Sequence, residues 1–287
     1  MQVIKTIKKM QATSLNLKRT RASIGFVPTM GALHEGHLSL IRRSRRENDV
    51  TVVSIFVNPI QFGPSEDLNR YPRPLQQDLR LCMQEKVEYV FCPRPEDMYP
   101  EGFKTFVEVR ELGAVLCGAS RPTHFRGVTT VVAKLFNAVF PDRAYFGQKD
   151  CQQAVIIERM ARDLNFPVMI EVLPIIRERS GLALSSRNAY LDPAQKKDAL
   201  VLSKALSSAA VLIRGGTRDA ARIKRVIRTM VSAAHSVKID YIAIVDKQTL
   251  KPVKKIQDSC LIALAMWIGK TRLIDNIVVN AQNRKAG

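Results

Sequence analysis

Residues 24–40 read IGFVPTMGALHEGHLSL, and the fold follows from how that stretch divides. Ile24 to Val27 is short and apolar, as a buried strand is, and Pro28 ends it. Gly31 and Gly36 loosen the turn that follows. Leu38, Leu40 and Ile41 then carry the apolar spacing of a helix over residues 37–48, with Arg42, Arg43, Arg45 and Arg46 facing solvent. Val50 to Val57, VTVVSIFV, is nearly continuous in β-branched and apolar residues, the pattern of a strand covered on both faces. Strand, helix and strand in so short a span make a βαβ unit with a right-handed crossover, and hence a doubly wound parallel sheet. Ligands of such sheets bind beyond the carboxyl ends of the strands. PTMGALHEGH (28–37) and NPIQFGPSEDLNRYPR (58–73) both fall there.

Outward from this unit the α/β alternation continues. A short helix is expected within residues 1–23, a crossover helix over Leu75–Lys86 and a strand over Val87–Cys92. A proline-rich loop follows, with a short strand over Thr105–Val109 and a polar loop, GASRPTHFRG (118–127). The spacing of Val128, Val131, Val132, Leu135 and Phe136 predicts a buried helix over 127–140. Arg143–Phe146 reads as a strand opening into GQKD, Cys151–Leu164 as an amphipathic helix and Val168–Ile176 as the closing strand. The alternation stops at the turn-rich residues 177–192, RERSGLALSSRNAYLD. The division is therefore a Rossmann-like doubly wound parallel sheet over 1–176 and a smaller α+β domain over 177–287. The latter holds helices, a Gly215-Gly216 break and strands over Ile239–Val245, Cys260–Trp267 and Asp275–Val279.

Composition narrows the class. The chain has 287 residues, 46% hydrophobic and 25% charged, with no apolar run near membrane-spanning length and no cationic leader ahead of an apolar segment, so a soluble cytoplasmic protein is expected. Cys82, Cys92, Cys117, Cys151 and Cys260 are odd in number and widely spaced, which suggests neither a disulfide framework nor a zinc site. The net charge of +19, from 45 Lys and Arg against 26 Asp and Glu, asks for an anionic partner: nucleic acid, or a small nucleotide or carboxylate. Residues 199–239 are basic, but Ile223, Val226, Ile227 and Met230 form a helical stripe with Arg218, Arg222 and Arg225 off it. With few aromatics to stack bases, a solvated helix face accounts for that cluster better than RNA binding does.

No G-x-x-x-x-G-K-[ST] and no G-x-G-x-x-G after the first strand is present, so neither a P-loop nor a dinucleotide fingerprint carries the function. What remains is His34 and His37 near a helix N-terminus, where free N–H groups and the helix dipole favour anions. Lys149 and Asp150 follow a later strand, and Ser185, Ser186 and Arg187 lie at the domain boundary. Alone, the histidines read equally as surface polar groups and Lys149 reads better as one; converging, these groups suit a triphosphate attacked at its α-phosphate. Gln61 and Gln153 are placed to face a neutral or carboxylate substrate, with Asn58, Tyr71 and Arg73 in the same loop as Gln61 and His124 and Arg126 on the later polar loop. A protein-bound zinc would need a third ligand beyond His34 and His37, so Mg²⁺ carried on phosphates is the metal expected.

Taken together, PTMGALHEGH, SIFVNPIQF, RYPR, GASRPTHFRG, FGQKDCQQ, GLALSSRNAYL and TRLIDN, in this order along nearly the whole chain, resemble the pantothenate synthetase family. The resemblance implies ATP-dependent condensation of pantoate with β-alanine through an enzyme-bound pantoyl adenylate, a requirement for Mg²⁺ and a homodimer. It also implies that Met30, His34 and His37 contact ATP, with His37 the proton donor, and that Gly147, Lys149 and Asp150 line the nucleotide site. Ile176, Leu184, Ser185, Ser186 and Arg187 would complete that site, Gln61 and Gln153 would hold pantoate, and Gln61 would lie close to β-alanine. His34, His37 and Lys149 are thus the expected catalytic residues. The adenylate must be kept from water, so the smaller domain is expected to act as a lid. Two features depart from the resemblance: Phe140, where glutamine is common, and the very basic charge. The competing readings are another adenylyltransferase, which would not need Gln61 and Gln153, and an RNA-binding module on a synthetase-like fold.

Overall fold

Apolar strands too short to stand alone assemble into a six-stranded parallel sheet in the computed structural model, which describes residues 1–64 and 66–280. In chain order the elements are β1 (Gln2–Ile4), α1 (Ile7–Arg19), β2 (Ile24–Thr29), α2 (Glu35–Glu47), β3 (Val50–Ile55), α3 (Leu75–Gln84), β4 (Tyr89–Phe91), and the short α4 (Pro95–Met98) and α5 (Cys117–Ser120). There follow α6 (His124–Val139), β5 (Arg143–Gly147), α7 (Cys151–Asp163), β6 (Met169–Leu173), α8 (Pro193–Arg214), α9 (Ala220–Ser232), β7 (Val237–Val245), β8 (Ser259–Ile268) and β9 (Thr271–Asn280). The parallel sheet runs β1-β4-β3-β2-β5-β6 and the second sheet, β7-β8-β9, is antiparallel.

The chain divides into two compact units, Met1–Gln148 with Gln153–Pro174, and Lys149–Gln152 with the residues from Ile175 on. In the first, successive strand residues point to opposite faces. Phe26, Val52, Phe91, Ala144 and Phe146 pack with Met10, Val132, Leu135, Phe136 and Ile157, from α1, α6 and α7. Val27, Val53, Val90 and Tyr145 pack with Leu38, Ile41 and Cys82, from α2 and α3. Helices on both faces explain why β3 reads as an unbroken apolar run rather than an alternating one. In the second unit, α8 and α9 bury Leu202, Leu206, Ile213, Ile223 and Ile227 against Ile262, Leu264 and Met266 of the small sheet. Among the described residues no helix is long and apolar enough to cross a membrane.

Three local expectations are corrected. Pro28 does not end β2, which runs to Thr29. Ile24 bonds through its carbonyl to Asp142 N–H on the β5 side, so by alternation Pro28 faces that side too, beyond the last β2–β5 pair at Phe26 and Ala144, where no N–H is needed. Residues 105–109 form no strand: Val107 N–H donates to Thr130 Oγ1 at 3.0 Å and its carbonyl accepts from Thr129 Oγ1 at 2.5 Å, so hydroxyls on α6 take the place of a neighbouring strand. The first strand is β1, an edge strand of three residues paired with β4, too short to show a period.

Candidate active site

The strand order reverses between β2 and β5: from β2 the chain passes to β3 on one side, and from β5 to β6 on the other. The crevice beyond the carboxyl ends of these two strands is the topological switch point at which such sheets bind ligands. Met30–His37 leaves β2 there and Gly147 ends β5.

The turn after β2 is built by its own residues and one carboxylate. Thr29 Oγ1 donates to the Ser54 carbonyl at 2.7 Å and accepts from Gly31 N–H at 3.1 Å. Gly31 (φ 81°) and Ala32 (φ 50°) both take left-handed backbone, unusual for alanine and characteristic of strained functional turns. The turn is held by Asp78, on the buried side of α3, whose carboxylate accepts from Ala32 N–H at 2.9 Å and Leu33 N–H at 2.8 Å. Gly31 is required as well as allowed, since a β-carbon there would stand 2.8 Å from Asp78 Oδ2. Burial raises the Asp78 carboxyl above its ordinary value, against the pull of its two N–H partners.

The two histidines form the cap of α2. His34 is the N-cap, its Nδ1 accepting from Gly36 N–H at 3.2 Å, and His37 Nδ1 accepts from His34 N–H at 3.3 Å, a reciprocal capping box. The rings lie 4.1 Å apart between centroids, tilted by 32°. Because Nδ1 is the acceptor in both, each neutral ring carries its hydrogen on Nε2. Two imidazole donors at the positive end of the helix dipole make a favourable setting for a phosphate.

Gln61 lies in a 3-10 turn after β3 and is held from several sides. Asn58 Nδ2 donates to Gln61 Oε1 and to the Gly127 carbonyl, each at 3.0 Å, while Asn58 Oδ1 accepts from Tyr99 OH at 2.7 Å. Gln61 Nε2 lies 2.9 Å from Met30 Sδ, and His124 Nδ1 lies 2.9 Å from the Gln61 carbonyl. Gly127 permits the approach of α6, since a β-carbon there would lie 2.5 Å from the Ile60 carbonyl. Nearby, Arg121 forks onto Glu66, with Nε 2.7 Å from Oε1. Burial pushes the Glu66 carboxyl up, but the guanidinium overcomes it and holds the group below its ordinary value.

The first unit thus places Met30 and His34 on the loop after β2, His37 in the first turn of α2 and Gln61 in the turn after β3, with Gly147 at the end of β5 and Gln153 in the first turn of α7. The histidine turn and Gln61 are joined through Met30 Sδ, whereas Gly147 and Gln153 stand on separate elements. Lys149 and Asp150, in the 3-10 turn Gln148–Asp150, belong to the second unit. There residues 176–184 fold back as a tight hairpin: Leu184 N–H donates to the Ile176 carbonyl at 3.0 Å, and Gly181 turns at φ 96°. Ser185 Oγ then accepts from Arg187 N–H at 3.3 Å, capping the turn Ser186–Tyr190, and Asn188 anchors it through Glu178 and the Ala183 carbonyl. Asp78, Tyr99 and Asn188 were not among the expected site residues. A carboxylate on the same helix face as Cys82 is the one signal that marks Asp78, and nothing local marks Tyr99.

The profile of the Pantoate-beta-alanine ligase family matches residues 2–278. Pantothenate synthetase of Moorella thermoacetica is 54% identical over 283 residues, 99% of this chain and 100% of that one. The pantothenate synthetase of a Sulfurihydrogenibium species is 56% identical over 278 residues, 96% of this chain and 99% of its own. Among solved structures, pantothenate synthetase of Thermus thermophilus superposes with a TM-score of 0.92 at 46% identity, over 96% of this chain and 99% of that one. A pantoate-beta-alanine ligase of Francisella tularensis, complexed with beta-gamma ATP and beta-alanine, does so with 0.79 at 36% identity, over 97% of each. Matched by the family profile over nearly its whole length and by relatives more than half identical to it, this chain belongs to the pantoate-beta-alanine ligase family.

Proposed function

We propose that the chain condenses pantoate with β-alanine at the expense of ATP, forming pantothenate, AMP and pyrophosphate through a bound pantoyl adenylate. The observation that carries this reading is the paired-histidine cap of α2 at the switch point, beside a buried, fully held Gln61, in a chain matched along its length by the ligase family.

In the first step a pantoate carboxylate oxygen bonds to the α-phosphorus while the bond from that phosphorus to the pyrophosphate oxygen breaks. Charge grows on phosphate oxygens, and fixed donors aimed at them lower the barrier without reorganising. His34 and His37, donating from Nε2, and the ammonium of Lys149 fill that role, with Met30, Gly147, Asp150, Ile176 and Leu184–Arg187 framing the nucleotide. Gln61 and Gln153 hold pantoate, Gln61 with its amide already oriented by Asn58. In the second step the β-alanine amine, close to Gln61, bonds to the acyl carbon, the bond from that carbon to the phosphate oxygen breaks, and AMP leaves, its phosphate taking up the proton that the nitrogen sheds. Mg²⁺, carried on the ATP phosphates, would spread their charge, and the carboxylate of Asp150 on the nucleotide segment would be the residue that helps to hold it.

The boundary after residue 176, with the smaller domain as a lid, is part of this reading. A homodimer is proposed too, supported by the exposed Met169 and Val172 on the edge strand β6. The cytoplasm is the proposed compartment, supported by five free cysteines. Incubation with ATP, Mg²⁺, pantoate and β-alanine, read by mass for pantothenate, tests the activity; without β-alanine, ATP–pyrophosphate exchange isolates the first step. Lys149→Ala should lower that exchange roughly 10²–10³-fold with the fold intact, and near-normal exchange would refute the role.

A further inference from the structure

The TRLIDN segment near the C-terminus has no part in the chemistry above, yet two of its polar residues are buried in the middle of β9. Asp275 and Asn276 are 2% and 1% exposed, and paired with Leu264 and Ala263 of β8. By alternation Asp275 shares the face of Leu273, Ile277 and Val279, which packs on the helices of the second unit, and Asn276 points to the opposite face. A strand interior is a costly place for a carboxylate and an amide unless each has partners.

Their partners lead to the nucleotide segments. Asn276 Nδ2 donates to the backbone carbonyl of Lys149 at 3.0 Å. The strand at Asn276 is itself tied down, because Asp275 Oδ1 accepts from Asn276 N–H at 2.7 Å and from Arg177 Nη2 at 2.8 Å, and Asp275 Oδ2 accepts from Arg177 Nη1 at 2.6 Å. Arg177 Nη1 also donates to the Gly181 carbonyl at 3.1 Å, inside the hairpin that leads to Ser185–Arg187. All these groups lie in the second unit. Lys149 sits in a 3-10 turn of three residues, and a turn that short has few internal bonds with which to fix the direction of a long, flexible side chain.

We propose that Asn276 is a positioning residue for Lys149. It holds the carbonyl of the residue whose ammonium faces the reacting phosphates in the reading above, on which this proposal rests, and the Asp275–Arg177 fork keeps its strand in place. Asn276 touches no reacting atom; it sets where Lys149 starts from, and displacement of a charge-stabilising group by about 1 Å is enough to lower a rate about 10²-fold.

The test is ATP–pyrophosphate exchange with pantoate on the wild type, Asn276→Ala, Asn276→Asp, Lys149→Ala and the double variant Lys149→Ala/Asn276→Ala, each checked by thermal melting. Asn276→Asp keeps the shape and removes the N–H donor. Both single Asn276 variants should lose about 10–100-fold in kcat with little change in the KM for pantoate, as expected when only transition-state stabilisation is removed. In the Lys149→Ala background, Asn276→Ala should cost less than about threefold, because residues acting as one unit are not additive. Near-wild-type kcat in both folded variants overturns the proposal, as does a multiplicative loss in the double variant. Failure of both to fold assigns Asn276 to stability and overturns it equally. A wild type that exchanges no pyrophosphate instead removes the functional reading itself.

Discussion

Replacing Asp78 separates the loop that carries the histidines from the rest of the fold. Its carboxylate accepts two backbone N–H groups, from Ala32 and Leu33, within one buried site. Asp78→Ala leaves both donors without this acceptor, at about 1–3 kcal/mol for each buried group left unpaired, so a loss of about 2–6 kcal/mol is expected. In Asp78→Asn the side chain is the same size, but its amide offers one acceptor oxygen and sets an NH₂ against the second N–H. The N–H left without an acceptor costs about 1–3 kcal/mol. The pH dependence has a definite sign. Burial raises the Asp78 carboxyl in the folded state, so between the ordinary aspartate value near about 3.9 and that raised value the folded protein binds more protons than the unfolded one. The wild type therefore loses stability from this group as pH rises through the window, and the asparagine variant does not. The stability difference between them should be largest on the acid side and shrink toward neutrality. Urea titrations at several pH values, with pyrophosphate exchange on the same samples, measure both effects. Exchange should fall at least about tenfold in Asp78→Asn, because the strained Ala32 backbone no longer has its anchor. Wild-type exchange and a pH-independent stability difference would refute the argument that Asp78 holds this turn.

Gly127→Ala drives a β-carbon to within 2.5 Å of the Ile60 carbonyl and 2.6 Å of Gln61 Cα; backbone must shift, at about 1–3 kcal/mol, and the KM for pantoate should rise, measured by melting and initial rates. Arg121→Gln strips the Glu66 carboxylate of its fork, and because the lowered Glu66 value makes that pair stabilising only above it, the variant should be about 1–2 kcal/mol weaker at neutral pH and match the wild type once the pH falls through the folded value. Cys82 and Cys260, fully buried and pushed up to about 12 and about 11 by burial, should resist iodoacetamide at pH 8 until the protein unfolds, read by mass.

Much of the architecture is legible in the chain because it rests on local rules. VTVVSIFV declares a strand covered on both faces, and H-E-G-H ahead of Leu38, Leu40 and Ile41 declares a helix start. The histidines therefore land at the cap that the sequence indicates, even though the mutual acceptance through Nδ1 that sets their tautomers is visible only in three dimensions. The small sheet was legible in its apolar centre, but β9 begins at Thr271, four residues before Asp275, since pairing with β8 extends it past the point where its apolar pattern fades.

By itself the sequence determined the doubly wound class, the positions of the strand-end loops and, through a long series of motifs, the family. It could not determine which groups hold those loops, because the contacts are made between residues far apart in the chain. Asp78 reaches Ala32 and Leu33 from the next crossover helix, Gly127 yields space to Gln61, and Asn276 donates to Lys149 from near the far end of the polypeptide. Patterns of period two or near 3.6 report which face of an element is buried; they carry no record of which distant donor a buried carboxylate or amide will meet, and that is what tertiary packing decided.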